Sequence, residues 1–556
     1  MAISFNQIPQ KVYTPLFYAE VDNSAANTTT DDMQSLIIGP MLESGKATAG
    51  ELTYVSSAEK AAELFGQGSI LHQMVTAYRN QDSTGTLYVM PVEDPSSGVA
   101  ATKTVTVTGT ASAAGTISLY VGFDLVQVGV SSGDTESDIA GNVMAAINAE
   151  ADLPVTASAE LGVITLTSKH KGLVGNDLTV NVNLLGSSNG QELPAGVGIA
   201  IADGVEGTGV PDIEAAFDAL KEEPFEFIGI PFNDKTSLDA VKLAMETRWS
   251  YNVQLYGHVY SAKRGSVEEL LSIGETQNDP HLTVFAVSET DPNSGFDRLG
   301  AALGQIAVSV KADPARPFQT LELSGITAPR VSDRISRGDR ESLLAAGCAT
   351  FTDSSSATAI ERAVTTYVTN SYGARDNSYQ DAETLHTLGY IVRYLRTQIT
   401  SKFGRHKLAN DGTTFGEGQA VVTPAIIRSE LIAAYSVLET MGLVENMDLF
   451  KANLVVERNL TDPNRLDGLF PPDLVNQLRV VVPVPSAVLR RSIDDAETHF
   501  RCRLHDDRRH HNSRPGFFHH PADYGQSHRR CSRRSRDRIR RAAHCSLHSM
   551  HRATHG

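Results

Sequence analysis

The chain has 556 residues, of which 41% are hydrophobic and 20% are charged. This is enough apolar material for several cores, and we expect three or four domains. Because 48 Lys and Arg face 65 Asp and Glu, the net charge of −17 argues against direct nucleic-acid binding, which needs basic surface. No apolar run approaches the roughly 18 residues of a membrane helix, and residues 1–7 do not resemble a signal peptide. We therefore expect neither secretion nor direct membrane insertion.

The charge is distributed unevenly along the chain. Residues 501–556 contain 14 Arg, ten His and four Asp but no Lys or Glu, so they carry +10 while residues 1–500 carry −27. Three of the four cysteines also lie in residues 501–556, and the remaining one, Cys348, has apolar neighbours. A single cysteine in 500 residues indicates no disulfide framework and suits a reducing cytoplasm.

Residues 1–22 are rich in apolar side chains but contain Pro9 and Pro15. The apolar positions are Phe5, Ile8, Val12, Tyr13, Leu16 and Phe17. Prolines at this spacing prevent a helix and favour an extended arm or an edge strand. An apolar extended arm needs a partner sheet, either its own or that of a neighbouring chain, and we therefore predict a linker arm here.

Residues 23–97 read as an α/β segment. A short buried strand is predicted at 34–39, and a second strand at 86–90. Between them, Ser56 and Glu59 have the spacing of a capping box before one helix, and another helix follows Gly68 and Ser69. Alternating strands and helices favour a sheet with helices packed on it.

Residues 98–205 have a different texture, with three Lys, no Arg and short strands of period two. The predicted strands are 104–108, 117–121, 163–167 and 178–182, with one helix at 139–147. Turn residues between such strands indicate a small β-rich domain. Because the α/β texture resumes after it, we interpret this domain as an insertion.

The rest of the chain divides into a middle α/β segment, 206–335, and a helical segment, 336–480. The middle segment predicts strands at 225–231, 253–260 and 281–287 and a helix at 237–251. In the second segment, one helix has an apolar face and a basic end. The apolar positions are Leu385, Leu388, Ile391, Val392, Leu395 and Ile399, and the basic ones are Arg393, Arg396, Lys402, Arg405, His406 and Lys407. A second apolar helix is predicted at 424–441, followed by a strand at 454–458.

No constellation of residues in the sequence predicts catalysis, a cofactor or a metal. The loop from Gly39 to Ala47 resembles a phosphate-binding loop, but it has one residue too many between its glycines, and Ala47 replaces the hydroxyl residue that would bind Mg²⁺. The histidines of residues 1–500 lack metal-ligand spacing, and no nucleophile elbow is present. A charge run at 333–341 is either a solvated surface or an ion-pair patch between subunits. We therefore expect a chain that is not an enzyme.

The most specific signals are short segments with no catalytic content. They are residues 3–9, 15–24, 65–69, 247–249, 256–258, 313–321 and 462–465, which read ISFNQIP, PLFYAEVDNS, FGQGS, TRW, YGH, DPARPFQTL and DPNR. In this order they resemble the Mu-like contractile tail sheath proteins of bacteriophages. The resemblance spans roughly residues 1–480.

The resemblance implies a multidomain α/β (α+β) fold. Its inner α/β domain would come from the N- and C-terminal segments, and an outer α/β domain and a small β-rich domain would be inserted between them. It also implies a structural virion protein, assembled in the host cytoplasm as stacked hexameric rings around a tail tube. Contraction of the sheath would drive the tube through the host envelope. The implied partners are other copies of the chain, the tail tube protein, and the baseplate and tail terminator proteins.

The resemblance implies roles for two groups of residues. Sheaths of this kind link neighbouring subunits by strand exchange, which would use the apolar residues of the arm 1–22. The basic helix end, with Arg396, Lys402, Arg405 and Lys407, is our candidate for a surface that faces the tube or a neighbour; the alternative is a charge that complements the helix dipole. A sheath of a phage-derived bactericidal particle remains an alternative with the same subunit role. A glycan-binding adhesin is disfavoured, because residues 98–205 offer only Tyr120 and Phe123 as aromatic platforms.

The tail at 481–556 departs from the family pattern. Sheaths of this type end soon after the region of Arg479 in a short strand that resembles Gln-Phe-Arg-Leu-Gln-Tyr. Permitted codons for residues 483–490, read one base later, encode Gln-Phe-Arg-Leu-Gln-Tyr-Ser. We hypothesise that residues from about 481 onward are translated in a shifted frame, which would explain the composition of the tail. A basic tail for nucleic acid or membrane is the rival interpretation.

Overall fold

The structure is a computed structural model, and it describes residues 33–122, 124–354 and 357–482. The arm at 1–22 and the tail from 483 lie outside the described residues. The helices of the described part are α1 Ala58–Phe65, α2 Ile70–Arg79, α3 Glu136–Ala149, α4 Ile213–Ala219, α5 Lys235–Trp249, α6 Val267–Gln277, α7 Gly295–Ala312, α8 Arg337–Ala345, α9 Ala382–Phe403, α10 Pro424–Thr440 and α11 Met447–Asn453. The strands are β1 Ser35–Pro40, β2 Thr53–Tyr54, β3 Leu87–Val92, β4 Ala100–Thr108, β5 Gly115–Val121, β6 Asp124–Val130, β7 Val155–Glu160, β8 Val163–Lys171, β9 Val180–Val182, β10 Gly198–Asp203, β11 Phe227–Gly229, β12 His258–Gly265, β13 Leu282–Ser288, β14 Thr350–Asp353, β15 Thr358–Arg362, β16 Lys407–Leu408, β17 Val421–Val422, β18 Val455–Arg458 and β19 Leu466–Leu469.

A six-stranded sheet with the order β13-β12-β11-β1-β3-β2 forms the centre of the fold. All neighbours are parallel except β2, which runs antiparallel to β3. Strand β1 is fully buried, with Ile37 in the core on one face and Leu36 and Ile38 in the core on the other. A strand apolar on both faces is typical of a parallel sheet covered by helices on both sides.

Two helical layers provide that cover. Phe65 of α1, Met74 of α2 and Leu303 of α7 belong to the core on one face of the sheet. The core on the other face includes Val241 of α5 and Leu270 of α6, together with residues of α4 and α8. The result is a three-layer α/β/α arrangement, and the predicted α/β class is confirmed. The described helices include none that is both long enough and apolar enough to cross a membrane.

Residues 100–203, which we call the β-rich segment, form two antiparallel sheets. Their strand orders are β10-β4-β8-β7 and β6-β5-β9, and α3 packs against β6 and β7. On β4, Val105 and Val107 point into the core while Thr104 and Thr106 are half-buried on the opposite face. This alternation is expected for a sheet with one covered face.

The C-terminal residues form a helical layer with a hairpin. Helix α9 has 22 residues and therefore spans about 33 Å. Helices α10 and α11 and the hairpin β18–β19 enclose a small core in which the rings of Tyr435 and Phe450 stack with centroids 3.8 Å apart.

Several sequence predictions of elements were wrong in detail. The helix after the first strand is capped by Ser57, which accepts from the Lys60 N–H, not by Ser56. The strand predicted at 253–260 begins only at His258, because Val253 and Gln254 close a turn on Ser250. The β-rich set does not end at 182, since β10 follows. Strand β7 was missed because small residues weaken its alternation, and β6 was missed although Val126, Val128 and Val130 alternate with Gln127 and Gly129.

The resemblance implied an inner α/β domain from the N- and C-terminal segments, without saying which strands residues 33–97 would join. In the structure, β1 pairs with β11, in the register Leu36 with Ile228, so residues 33–97 share one sheet with the middle segment. Backbone hydrogen bonds of the central strands decide this partnership, and periodicity does not report them.

Candidate assembly surfaces

Helix α9 is anchored to the central sheet by the buried side chains of Glu226 and His386 and the half-buried side chain of Arg393, which we call the α9 lock. The Glu226 carboxylate lies 2.7 Å from Nδ1 of His386 and 2.5 Å from Nη1 of Arg393. On its other side, Nε2 of His386 lies 2.7 Å from the hydroxyl of Tyr260 on β12. Glu226 is only 4% exposed and His386 1%. The lock therefore ties α9 to two neighbouring strands of the sheet.

Electrostatics in the α9 lock favour the ionised form of its carboxylate. Burial opposes the ionisation of Glu226, but the adjacent Arg393 guanidinium and His386 outweigh burial, so the pKa of Glu226 lies below its ordinary value. His258, on β12, is also buried beside His386, and burial holds its pKa well below its ordinary value. His258 is therefore neutral at pH 7, and its Nε2 lies 2.8 Å from the Thr283 hydroxyl.

A second buried carboxylate connects the start of α9 to the last described residues. Glu383 is fully buried and accepts a hydrogen bond from the Phe318 N–H at 2.8 Å. Nη2 of Arg479 lies 3.1 Å from both Glu383 and Asp381. Arg479 thus holds the segment that leads toward residue 482 against the first turn of α9.

The four predicted basic residues lie along the outer half of α9 and just beyond it. Arg396 and Arg405 are exposed and form no ion pair within the described part of the chain. Lys402 instead pairs with Glu430 of α10 at 2.5 Å, and Lys407 donates to the side chain of Gln419 at 3.3 Å. Of the four residues, Lys402 alone has its charge paired with a carboxylate of the described residues, and Arg396, Arg405 and Lys407 keep their charge available at the surface.

The hairpin β18–β19 is a two-stranded sheet, with Val455 opposite Leu469. Neither outer edge is paired with another strand of the described residues. Leu469 is 61% exposed, and Leu460, in the turn of the hairpin, is fully exposed. An isolated two-stranded sheet is marginal by itself and offers two edges for a further strand. The predicted arm residues Phe5, Ile8, Val12, Tyr13 and Phe17 lie outside the described residues.

Three members of the charge run at 333–341, Asp333, Arg334 and Arg340, have partners within the chain. Arg340 Nε lies 2.7 Å from Glu361 of β15, and Arg334 donates to the carbonyl of Asp353 on β14 at 3.1 Å. Asp333 is buried and pairs with Arg330. The solvated interpretation was wrong at these positions, because the hairpin β14–β15 brings acceptors from later in the chain to the guanidinium groups.

The loop after β1 does not have the geometry of a phosphate site. Three of its amides donate within the chain: that of Leu42 to the Phe65 carbonyl, that of Gly45 to Leu42 and that of Ala47 to Leu64. A Cβ at Gly45 would lie 2.5 Å from the Leu64 carbonyl oxygen, so this glycine serves close packing against α1. The rejection of nucleotide binding from the sequence agrees with this geometry.

The crevice at the carboxyl ends of β1 and β11 is where open α/β sheets commonly bind ligands. Here residues 171–177 and 209–211 help to enclose it, and its volume is about 130 Å³. Arg264, on its wall, already donates to Asp177 and to backbone carbonyls. In the part of the chain that the structure describes, no group of His, Cys, Asp and Glu is arranged to hold a metal ion.

Comparisons with known proteins identify the family to which the chain belongs. The family model for the central domain of phage tail sheath proteins matches residues 206–366, and the model for the C-terminal domain of these proteins matches residues 374–482. The chain belongs to the phage tail sheath family. A curated relative, the Mu-like prophage FluMu tail sheath protein of Haemophilus influenzae, is 39% identical over 483 residues, which cover 86% of this chain and 98% of the relative. The resemblance found in the sequence is therefore confirmed.

Two solved sheath tail proteins are also similar to the chain. The protein from Desulfitobacterium hafniense aligns with a TM-score of 0.42 at 13% identity and covers 84% of this chain and 100% of its own. The protein from Listeria innocua aligns with a TM-score of 0.44 at 14% identity and covers 82% of this chain and 94% of its own.

Sequence reasoning missed the α9 lock. Glu226 and His386 are 160 residues apart, and no local pattern distinguished His386 from the other histidines of residues 1–500. The one available signal was His386 and Arg393, seven residues apart on the side of the predicted helix opposite its apolar face. Their common partner lies on another segment, which periodicity cannot identify.

Proposed function

We propose that the chain is a non-enzymatic subunit of a contractile phage tail sheath. In this proposal, subunits stack as hexameric rings around the tail tube and rearrange to drive the tube through the host envelope. The chain would contact other copies of itself, the tail tube protein, and the baseplate and tail terminator proteins. It would be assembled in the host cytoplasm and become part of the virion. Family membership is the main support for this proposal, because the curated relative, 98% of which is covered by the match, is a tail sheath protein.

The hairpin β18–β19 supports strand exchange as the link between subunits. Its two unpaired edges can each accept an extended segment through main-chain hydrogen bonds. The sequence of the arm at 1–22 has the required chemistry, because its prolines disfavour a helix and its apolar side chains can cover exposed residues such as Leu469. We propose that Phe5, Ile8, Val12, Tyr13 and Phe17 bind next to this hairpin of a neighbouring subunit.

The exposed cations of α9 support a second contact. Arg396 and Arg405 carry charge that no described acidic side chain neutralises, in a chain that is otherwise strongly acidic. We propose that they face an acidic surface of the tube or of a neighbouring subunit. Lys402, whose charge is already paired with Glu430, contributes less, and the exposed Lys407 adds to the charge of the two arginines.

Electron microscopy tests this proposal. The chain is co-expressed with the tube protein of the same particle, and we expect striated hollow cylinders. The double variant Phe5→Asp/Phe17→Asp should give separate subunits, because charged side chains cannot enter an apolar strand contact. The matched control is Leu161→Asp, an exposed position in the turn between β7 and β8, which should leave the cylinders intact. Separate subunits both from the parent chain and from a chain with the C-terminal strand restored, with the tube present, would contradict the sheath proposal. Cylinders from the double variant would contradict the role of the arm.

We also propose that the shifted reading frame removes the last strand of the subunit. The C-terminal family model extends to residue 482, where the composition of the chain changes. Sequencing the gene should show codons after about residue 481 that encode Gln-Phe-Arg-Leu-Gln-Tyr-Ser in the next frame. A chain with this strand restored should form longer or more frequent cylinders than the chain with the present tail. Codons that do not realign would refute the hypothesis.

A further inference from the structure

The β-rich segment has an apolar core of its own. The buried members of this core include Ile117, Leu119, Val143, Ile164 and Leu166, and all members belong to the segment. The cores on the two faces of the central sheet contain no buried residue from 100–203. In that range only the half-buried Val174 packs against both of them. Separating the segment from the central sheet and its helices, which we call the body, would therefore expose little apolar surface.

Two chain passages connect the segment to the body, and they run side by side. Val99 and Thr208 exchange two backbone hydrogen bonds, at 3.0 and 3.1 Å. Gly209 has φ +101°, and a Cβ there would lie 3.0 Å from the Gly98 Cα, so a larger residue would not fit. The connection is thus a narrow pair of strands, which is the geometry of a hinge.

The first polar contact across the junction is made by His170, at the end of β8. Its ring is fully buried, and Nε2 accepts a hydrogen bond from the N–H of Ile70, the first residue of α2, at 3.2 Å. Nδ1 lies 2.9 Å from the carboxylate of Asp94, which follows β3. Because Nε2 accepts a hydrogen bond, the ring proton is on Nδ1, and this N–H donates a hydrogen bond to the Asp94 carboxylate. Both partners of His170 belong to the body.

The second contact is made by Asp177. One carboxylate oxygen accepts from Nε of Arg264 at 2.7 Å, and the other accepts from the N–H of Gly295, the first residue of α7, at 2.5 Å. The N-cap residue of α7, Ser294, makes no capping bond with its own side chain, since its hydroxyl is bonded to Asp297. The β-rich segment therefore supplies the negative group that the start of α7 requires.

The two contacts share a common design. Each places a polar side chain of the β-rich segment, the buried His170 or the partly buried Asp177, on the first N–H of a body helix, and α2 and α7 pack against each other. Further hydrogen bonds cross the junction, from the Thr179 hydroxyl to the Pro292 carbonyl at 2.6 Å, from the Lys171 N–H to the Asp94 carboxylate at 2.8 Å and from Nζ of Lys169 to the Gln67 carbonyl at 3.2 Å. If the segment separates from the body, these polar groups can form hydrogen bonds with water instead. Apolar side chains exposed in the same way would gain no comparable interaction.

We propose that His170 and Asp177 form a releasable latch, and that the β-rich segment undocks from the body as a folded unit and turns about the strands at 98–99 and 208–209. The latch holds the N-termini of α2 and α7 together in the docked state. Release leaves both cores intact and breaks only the polar bonds across the junction. The proposal is independent of the partners assigned above.

Hydrogen exchange of the full-length chain, read by mass spectrometry with fragmentation, tests whether the two halves of the latch open together. In Asp177→Ala, the amide of Ile70, which is bonded to His170, should exchange at least tenfold faster than in the parent chain. In His170→Ala, the amide of Gly295, which is bonded to Asp177, should show the same increase in exchange rate. Amides of β5 and β8 inside the segment should stay within about twofold of the parent chain. The matched control is Asp138→Ala, which removes a helix-capping carboxylate inside the segment, from α3, and should leave Ile70 and Gly295 unchanged.

Two results would overturn the proposal. If each variant exposes only the amide that it contacted directly, the bonds are independent and no unit is released. If β5 and β8 lose protection together with Ile70, the segment unfolds and does not undock. Should Asp177→Ala fail to fold, Asp177→Asn keeps the shape and removes the charge, and the same pair of amides decides the outcome.

Discussion

Helix α9 and the β-rich segment are both attached to the body by buried polar groups, yet the two attachments differ in what lies behind them. Ala382 of α9 belongs to the core under the central sheet, and Ile391 belongs to the C-terminal core, so α9 joins two cores. The β-rich segment keeps its core to itself. Polar bonds backed by a shared core make one cooperative unit, and polar bonds without one make a joint that can open separately.

Removing the carboxylate of the α9 lock should have the largest effect. Glu226→Ala leaves Arg393 and His386 buried without their anion, and we expect the free energy of unfolding to fall by about 4 kcal/mol. Urea unfolding followed by circular dichroism measures this. The control Glu63→Gln, in an exposed pair with Lys46 and Lys60, should leave the unfolding midpoint unchanged. A loss for Glu226→Ala no greater than that of the control would show that α9 is held by its apolar face alone.

Cavity-forming variants in the two cores test whether the β-rich segment and the body unfold separately. Ile164→Ala in the β-rich core and Ile228→Ala in the central sheet each remove a fully buried side chain and should cost about 3 kcal/mol. Calorimetry should show that Ile164→Ala lowers the transition of the β-rich segment while the transition of the body stays in place. Ile228→Ala should do the reverse. A single transition shifted equally by both variants would mean that the segment and the body unfold together.

Asp297 gives the junction a pH dependence of defined sign. Burial raises its pKa to about 7, so the native state binds more protons than the unfolded chain, and stability falls as pH rises from about 4 to 7. The shape-matched Asp297→Asn should therefore stabilise the chain by about 2 kcal/mol at pH 8, with a gain that shrinks toward pH 4. Urea midpoints across this range test it. A gain independent of pH would show that Asp297 does not titrate between folded and unfolded states.

His258 gives the region of α9 the opposite pH dependence. Burial lowers its pKa well below the ordinary value, so the native state binds fewer protons, and stability falls as pH drops through about 6.5. In the Asp297→Asn background, His258 should contribute a loss of about 1 kcal/mol on acidification from pH 7.5 to 5.5. Adding His258→Asn should remove this share of the profile, while the share of His281, whose pKa burial lowers to about 4, stays. An unchanged profile would assign the acid sensitivity to another group.

Local pattern was sufficient for much of the architecture. The strand at 35–40, the helices at 136–149 and 424–440 and the alternation of β4 follow from apolar periodicity and from caps, which involve residues close in sequence. Buried Cys348 followed from its apolar neighbours. Register and turn detail were less accessible, as the strand that begins at His258 shows.

The sequence by itself determined the class of the fold, the family of the chain, the change of texture at the β-rich segment and the unusual tail, because these depend on composition and on short ordered motifs. Tertiary structure alone decided the pairing of β1 with β11, the α9 lock and the latch. Each of these joins groups separated by 100 residues or more, such as Ile70 and His170 or Glu226 and His386. These contacts are stable because the fold buries them and brings distant partners together. Neither the burial of a residue nor its distant partner can be read from the residues next to it in the sequence.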